Sequence, residues 1–344
     1  MTLKDYKIDD NAIYEWLPYG GIVRPEVVKN KDGSFMGIIE YEKISHYKNL
    51  ALRSNYRNGW SVWLETQHKG SFDKNYFILC WNPFKTKDGE IKNYTKPLQD
   101  ASCTELFLAE LKDTAKSLSL LTECRILKYQ EIVDVLRFSL SLADDECKMP
   151  DIPLYLDVVL SKDLDMSFSE NGISINGKNV YILSLAGLPK NDELEEILES
   201  LKAVRYRYVK RLLFFDKKSA EKNLAQYTSL WCNGRKSVKK LITDKLLNNY
   251  NVYFSEIIVL LLTDEESVKI TEIIRSKLKK LELLFIIEEY NLKDSWWGSL
   301  PAIFRANIAP PVMGFSSLES LLRFEKGGDG FVQAEQVSPQ QELP

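Results

Sequence analysis

The sequence predicts an α+β protein, with an amino-terminal β-rich subdomain followed by two ferredoxin-like βαβ units joined by a long helix. Three observations predict it. Runs rich in β-branched and aromatic residues crowd into the first 82 positions, between turn signals. A strand–helix–strand succession then occurs twice in the second half of the chain. Between the two occurrences, helical periodicity runs from about Ser219 to Asn249.

The elements follow in order. Val23–Lys29 and Phe35–Tyr41 read as a hairpin, because Asn30-Lys31-Asp32-Gly33 ends in an Asp-Gly pair suited to positive φ. Trp60–Thr66 and Tyr76–Trp81 are further strands, the second stopped by Asn82-Pro83. Helical spacing takes over from about Ala101 to Leu121 and from Gln130 to Ala143. Met149-Pro150-Asp151-Ile152-Pro153 breaks the pattern and sets a domain boundary. Beyond it come strand Val180–Ala186, helix Asp192–Ala203 and strand Tyr206–Phe215. After the long helix the triplet repeats as strand Glu256–Leu262, helix Glu265–Lys280 and strand Leu283–Tyr290. The expected division is residues 1–148, 149–309 and a tail, 310–344. A short apolar helix is expected near Leu318–Leu322. The tail is expected to be disordered from about residue 325, where Gly, Gln and Glu replace apolar residues.

Composition narrows the function. The 344 residues carry 46 basic and 49 acidic groups, a net charge of -3, so no whole-chain field calls for nucleic acid or anionic lipid. The longest clean apolar run, Ile257–Leu262, falls far short of the roughly 20 residues of a membrane span. Lys4, Asp5, Asp9 and Asp10 do not suit a secretory signal, and a soluble intracellular protein is expected. Two histidines, His46 and His68, and five scattered cysteines without a Cys-x-x-Cys pair signal neither zinc nor a disulfide framework. Cys80, Cys103, Cys124, Cys147 and Cys232 read as structural thiols.

A search for nucleotide chemistry finds no Walker A string. Asn233-Gly234-Arg235-Lys236-Ser237 comes closest but lacks the first glycine and lies in a helical pattern, where backbone N–H groups cannot converge on a phosphate. The adjacent carboxylates Asp144-Asp145, Glu195-Glu196, Glu265-Glu266 and Glu288-Glu289 do not share a helix face and read as solvated pairs. Charge, however, is unevenly spread: Lys202–Lys245 holds thirteen basic residues against three acidic ones. Arg205, Arg207, Lys210, Arg211, Arg235, Lys236, Lys239 and Lys240 are the candidate docking stripe, on a strand and the helix after it. Its alternatives are a plain solvated face, docking to an acidic protein or membrane surface, and nucleic-acid contact, the last being the least expected because no recognisable module accompanies it.

Several strings in order identify a resemblance. Glu15-Trp16-Leu17-Pro18-Tyr19 and Val28–Phe35, then Gly59–Gln67, Asn75–Leu79 and Met149–Pro153, resemble the amino-terminal region of the TrbE/CagE/VirB family. So do Ile182–Pro189, Tyr206-Arg207-Tyr208 leading to Phe215-Asp216-Lys217, Trp231 with Arg235-Lys236-Ser237, and Trp296 with Gly298-Ser299-Leu300-Pro301. These are ATPases of type IV secretion and conjugal DNA transfer, and the TrbE branch is the most similar. The resemblance spans roughly residues 12 to 309. There are departures: where the family's Leu-Pro is followed by glycine this chain has Ala302, Ala309 stands where an arginine is usual, and Arg305 is displaced. The family's ATPase domain should begin shortly after residue 320, and no Walker A or B motif is found there.

The resemblance implies a docking and assembly region of a transfer ATPase without its motor domain, not an enzyme on its own. ATP and magnesium enter only if a motor is supplied. Implied partners are other type IV secretion components at the inner membrane of a bacterium, a separate motor chain, and further copies through the family's oligomer. The implied place is cytoplasmic, peripheral to that membrane. Two rival readings are half of a split ATPase completed in trans by a P-loop polypeptide, and a DNA-binding accessory subunit.

Overall fold

A computed structural model describes residues 17–42, 59–83, 97–144, 147–150, 155–169, 172–185, 191–215, 251–281, 285–288, 292–303 and 312–314. Among them the chain forms a mixed α/β structure of one large antiparallel sheet and six helices. The expected helix from Ser219 to Asn249, the helix near Leu318–Leu322 and the tail from 325 lie outside the described residues.

The amino-terminal strands are β1 (Tyr19–Arg24), β2 (Val27–Asn30), β3 (Phe35–Tyr41), β4 (Trp60–His68) and β5 (Asp73–Trp81). The expected turn is present: Gly33 has φ 81°, and the Asp32 carboxylate accepts from the Ser34 backbone N–H at 2.9 Å. The first expected strand, Val23–Lys29, is not one strand. It folds back at Pro25-Glu26, so β1 and β2 pair with each other, Arg24 opposite Val27. Proline has no N–H to offer a ladder, and a turn is where that costs least. Gly20 sits in the irregular register that follows, where a Cβ would meet the Lys29 carbonyl oxygen at 2.6 Å.

Helix α1 (Pro97–Leu118) starts on proline, whose missing N–H is tolerated in a first turn. It buries Phe107, Leu108, Leu111 and Leu118, spaced for one helical face. A short strand not anticipated from the sequence, β6 (Cys124–Ile126), pairs with β3 beyond the end of β2. Helix α2 (Gln130–Ser141) follows, ending at Leu142 in the left-handed conformation with its N–H bonded to the Phe138 carbonyl. Past the expected boundary come α3 (Leu156–Ser161), β7 (Met166–Ser169) and β8 (Gly172–Ile175), also unanticipated. Asn176-Gly177, both at positive φ, turn β8 into β9 (Lys178–Leu185).

The repeated strand–helix–strand succession is present. It consists of β9, α4 (Asn191–Ser200) and β10 (Tyr206–Phe215), then β11 (Asn251–Leu262), α5 (Asp264–Leu281) and β12 (Phe285–Ile287). Helix α6 (Leu292–Ser299) and strand β13 (Val312–Gly314), which pairs with β11, complete the described chain. The main strand order is β1-β2-β3-β5-β4-β10-β11-β9-β8-β7, with β12 on β9. The amino-terminal strands and the later ones therefore share one sheet. They join where β4 and β10 run antiparallel from Tyr206 opposite His68 to Leu213 opposite Ser61.

Both faces of the sheet are covered. One packs under α2, α3 and α6 around Trp63, Ile78, Val209, Val259 and Trp296. The other carries α1 over Phe35, Val62, Phe77 and Leu212, and α4 with α5 over Tyr206, Tyr208, Ile258 and Leu260. A strand covered on both sides should be apolar at every position. β4 and β10 break that rule at their junction.

Candidate functional site

Alternation along a strand assigns Arg207, Val209, Arg211 and Leu213 of β10 to one face, and Ser61, Trp63, Glu65 and Gln67 of β4 to the same face. That face lies under α2 and α6, and Glu65 and Arg207 are both fully buried. The Arg207 guanidinium donates from Nε to Glu65 Oε1 at 3.0 Å and from Nη2 to Glu65 Oε2 at 2.8 Å, a two-pronged pairing. Its remaining donors reach the Ser139 carbonyl on α2 at 2.7 Å, and the Ser299 carbonyl at 3.0 Å and Ser299 Oγ at 3.4 Å on α6. Glu65 also accepts from Gln67 Nε2 at 2.7 Å and Ser139 Oγ at 2.8 Å. Two charges taken out of water are tolerable only with this degree of pairing. Tyr19 lies near the pair, and burial holds its hydroxyl well above the ordinary phenol range, against the pull of Arg207.

Arg211, one turn of alternation further on, donates to the Gly298 carbonyl at 3.1 Å and the Ile303 carbonyl at 2.7 Å, with its guanidinium over the Trp63 ring. Both arginines thus meet the carboxyl end of α6, where helix carbonyls lack partners within the helix and the dipole favours positive charge. Just past that end, Ala302 has φ 66° and is buried. The left-handed region disfavours any residue with a Cβ. This gives a physical reason for glycine at the corresponding family position and marks this chain's alanine as strained.

These placements correct the candidate docking stripe. Arg207, Lys210 and Arg211 are inside the protein, 0%, 5% and 1% exposed, and present no surface for docking. The reason is that the strand is covered on both faces, which its sequence alone does not reveal. Lys210 faces opposite to the arginines, beside the Tyr208 ring, and burial pushes its ammonium well below the ordinary lysine range. Arg205 does lie at the surface, paired with Asp144 at 3.0 Å. Arg235, Lys236, Lys239 and Lys240, and the Asn233–Ser237 string, lie outside the described residues. The sequence reading missed Glu65, Gln67, Ser139 and Ser299. The matching signal was available in β4, where Glu65 and Gln67 alternate with Leu64 and Thr66 just as Arg207 and Arg211 alternate with apolar residues.

Cys80 and Cys147 are buried, and Cys103 and Cys124 half-buried, while Cys232 lies outside the described residues. Among the described residues no group of three His, Cys, Asp or Glu side chains could hold a metal ion, and no helix is long and apolar enough to cross a membrane. The Glu65–Arg207 centre is suited to holding four elements in one arrangement: β4, β10, α2 and α6.

No family model matches the chain. Two curated homologues carry the TrbE name. "Conjugal transfer protein TrbE" of Rhizobium radiobacter is 21% identical over 420 aligned positions, covering 94% of this chain and 50% of that protein. A "probable conjugal transfer protein TrbE" of Sinorhizobium fredii (strain NBRC 101917 / NGR234), whose name marks it as the second piece of a divided TrbE, is 23% identical over 227 positions. That alignment covers 58% of this chain and 33% of the relative. The chain spans about half the length of the first and a third of the second.

Proposed function

We propose that this chain acts in conjugal DNA transfer, within a type IV secretion apparatus, as a docking and assembly region of the TrbE-type transfer ATPase. The observation that carries the reading is the similarity to conjugal transfer protein TrbE along 94% of the chain. On this reading the chain sits at the cytoplasmic face of the bacterial inner membrane, meets other secretion components there, and self-associates with further copies. Its inward-turned charge supports a role as scaffold, because Glu65 and Arg207 fasten elements to one another. Recruiting charge then rests with Arg205, Arg235, Lys236, Lys239 and Lys240.

A ferredoxin-like arrangement of residues 178–287 belongs to the same proposal. What supports it is the order β12-β9-β11-β10, antiparallel throughout, with α4 linking β9 to β10 and α5 linking β11 to β12.

The test is mating frequency. Deleting the coding segment for this chain from a conjugative element should abolish transfer, and supplying the chain in trans should restore it. Transfer that continues unchanged would remove the proposal. Charge reversal at Lys236, Lys239 and Lys240 should release the protein from membrane fractions; unchanged recruitment would reject the docking surface.

The second relative is named as one piece of a TrbE, which favours a second reading, in which this chain completes an ATPase with a separate nucleotide-binding polypeptide. That reading expects no heat of MgATP binding to this chain by itself, and faster hydrolysis by the pair than by the partner alone. Equal rates would dismiss it.

A further inference from the structure

A second polar cluster lies at the far end of the β4–β10 junction from Ser61. His68, the last residue of β4, is 4% exposed. Its Nδ1 faces the Asp73 carboxylate on β5 at 2.6 Å, and its Nε2 faces the Lys202 carbonyl in the α4–β10 turn at 3.1 Å. Its ring stacks on Tyr206 of β10, with centroids 4.8 Å apart and planes 13° from parallel. The ring therefore touches three segments separated by long stretches of sequence.

Donor and acceptor accounting decides what the ring can do there. A backbone carbonyl only accepts, and an ionised carboxylate only accepts. A neutral imidazole has one N–H, so either neutral tautomer leaves a lone pair facing an oxygen. Only the doubly protonated ring makes both bonds. The aromatic face of Tyr206 favours the same cationic form. The other charged groups are arranged around this point in pairs. Lys202 bonds Glu199, while Lys69 and Arg205 both reach Asp144, at 3.1 and 3.0 Å. Asp73 is the carboxylate in direct contact with the ring, and its side chain is 35% exposed, so solvent protons can reach the pair.

The geometry points to His68 as a proton-operated bolt between the β4–β5 strands and the α4–β10 turn, engaged when the ring is doubly protonated and half released when it is neutral. The sign follows from the accounting. The bolt holds at pH below the ring's titration and loosens as pH rises through it. This inference stands apart from the conjugal reading and would survive its failure.

The test uses the full chain. With two histidines in the sequence, His68 is assigned in NMR spectra by comparison with a His46→Gln variant. Hydrogen exchange is followed across the His68 titration in peptides covering Lys69–Asp73 and Leu201–Tyr206, corrected for intrinsic rates. The loss of one charge-assisted bond should lower protection there by about tenfold, with a midpoint matching the His68 titration and α1 unchanged. His68→Phe, which keeps the stack, should show weak protection at every pH. Asp73→Asn should show strong protection at every pH, because its amide can either donate to or accept from Nδ1. Protection in the native chain that ignores the titration overturns the inference, and so does an Asp73→Asn variant that keeps the native pH response.

Discussion

Arg207→Met isolates the buried centre. The substitution keeps bulk in the site and removes every donor. Glu65 then loses two bonds, at 3.0 and 2.8 Å, together with its countercharge, and keeps those from Gln67 and Ser139. The Ser139 and Ser299 carbonyls lose their guanidinium contacts as well. Breaking a buried pair from one side costs about 3–5 kcal/mol, since it strands a charge where water cannot reach it. Glu65→Leu alone should cost a similar amount by stranding Arg207. The double variant Glu65→Leu, Arg207→Met should cost far less than the two together, because a matched apolar pair is often neutral in place of a buried ion pair. Urea unfolding with an unchanged slope is the assay. A domain stable by only about 5–15 kcal/mol should show each single variant as a large drop in midpoint. If Arg207→Met costs under about 1 kcal/mol, or if the two effects simply add, the pair does not carry the coupling assigned to it.

Ala302→Gly should stabilise the chain by up to about 1 kcal/mol, because glycine occupies φ 66° without a Cβ clash; a lower unfolding midpoint would refute the strain. Thr263→Ala should cost about 1 kcal/mol. It would remove a reciprocal cap in which Thr263 Oγ1 accepts from the Glu266 N–H and Glu266 accepts from the Thr263 N–H. That backbone bond also holds the Glu266 carboxyl below its ordinary range, so the cap's contribution is full above that range and fades as pH falls through the lowered value. Helicity followed during acid titration of native and Thr263→Ala chains checks both statements.

Much of the fold is legible in the sequence where local chemistry decides it. Strand β10 has the bounds its composition predicts, and the Asp32-Gly33 turn follows from positive φ at glycine. The hairpin at Asn176-Gly177 carries an equally plain turn signal but escapes a reading by strand composition, since the strands flanking it include a short one. The candidate site is less legible. Arg207 resembles a surface residue until Glu65, 142 positions earlier in the chain, is brought beside it by the strand pairing. Solvation of a strand residue depends on what covers the sheet, and helices α2 and α6 come from opposite ends of the sequence. Alternation fixes which side chains share a face, but it does not say which face meets water.

The pairing of β4 with β10 also governs how the protein is made. Strand β4 leaves the ribosome long before its partner exists. At synthesis rates of about 5–20 residues per second, the 142 residues between Glu65 and Arg207 represent a delay of roughly 7–30 s. For that interval the edge of β4 has no β10, and Glu65 has no countercharge. A nascent chain in that state displays an open strand edge, the kind of surface that chaperones bind and that other chains can invade. Codon changes that lengthen the wait should therefore lower the yield of soluble protein without altering any residue of it.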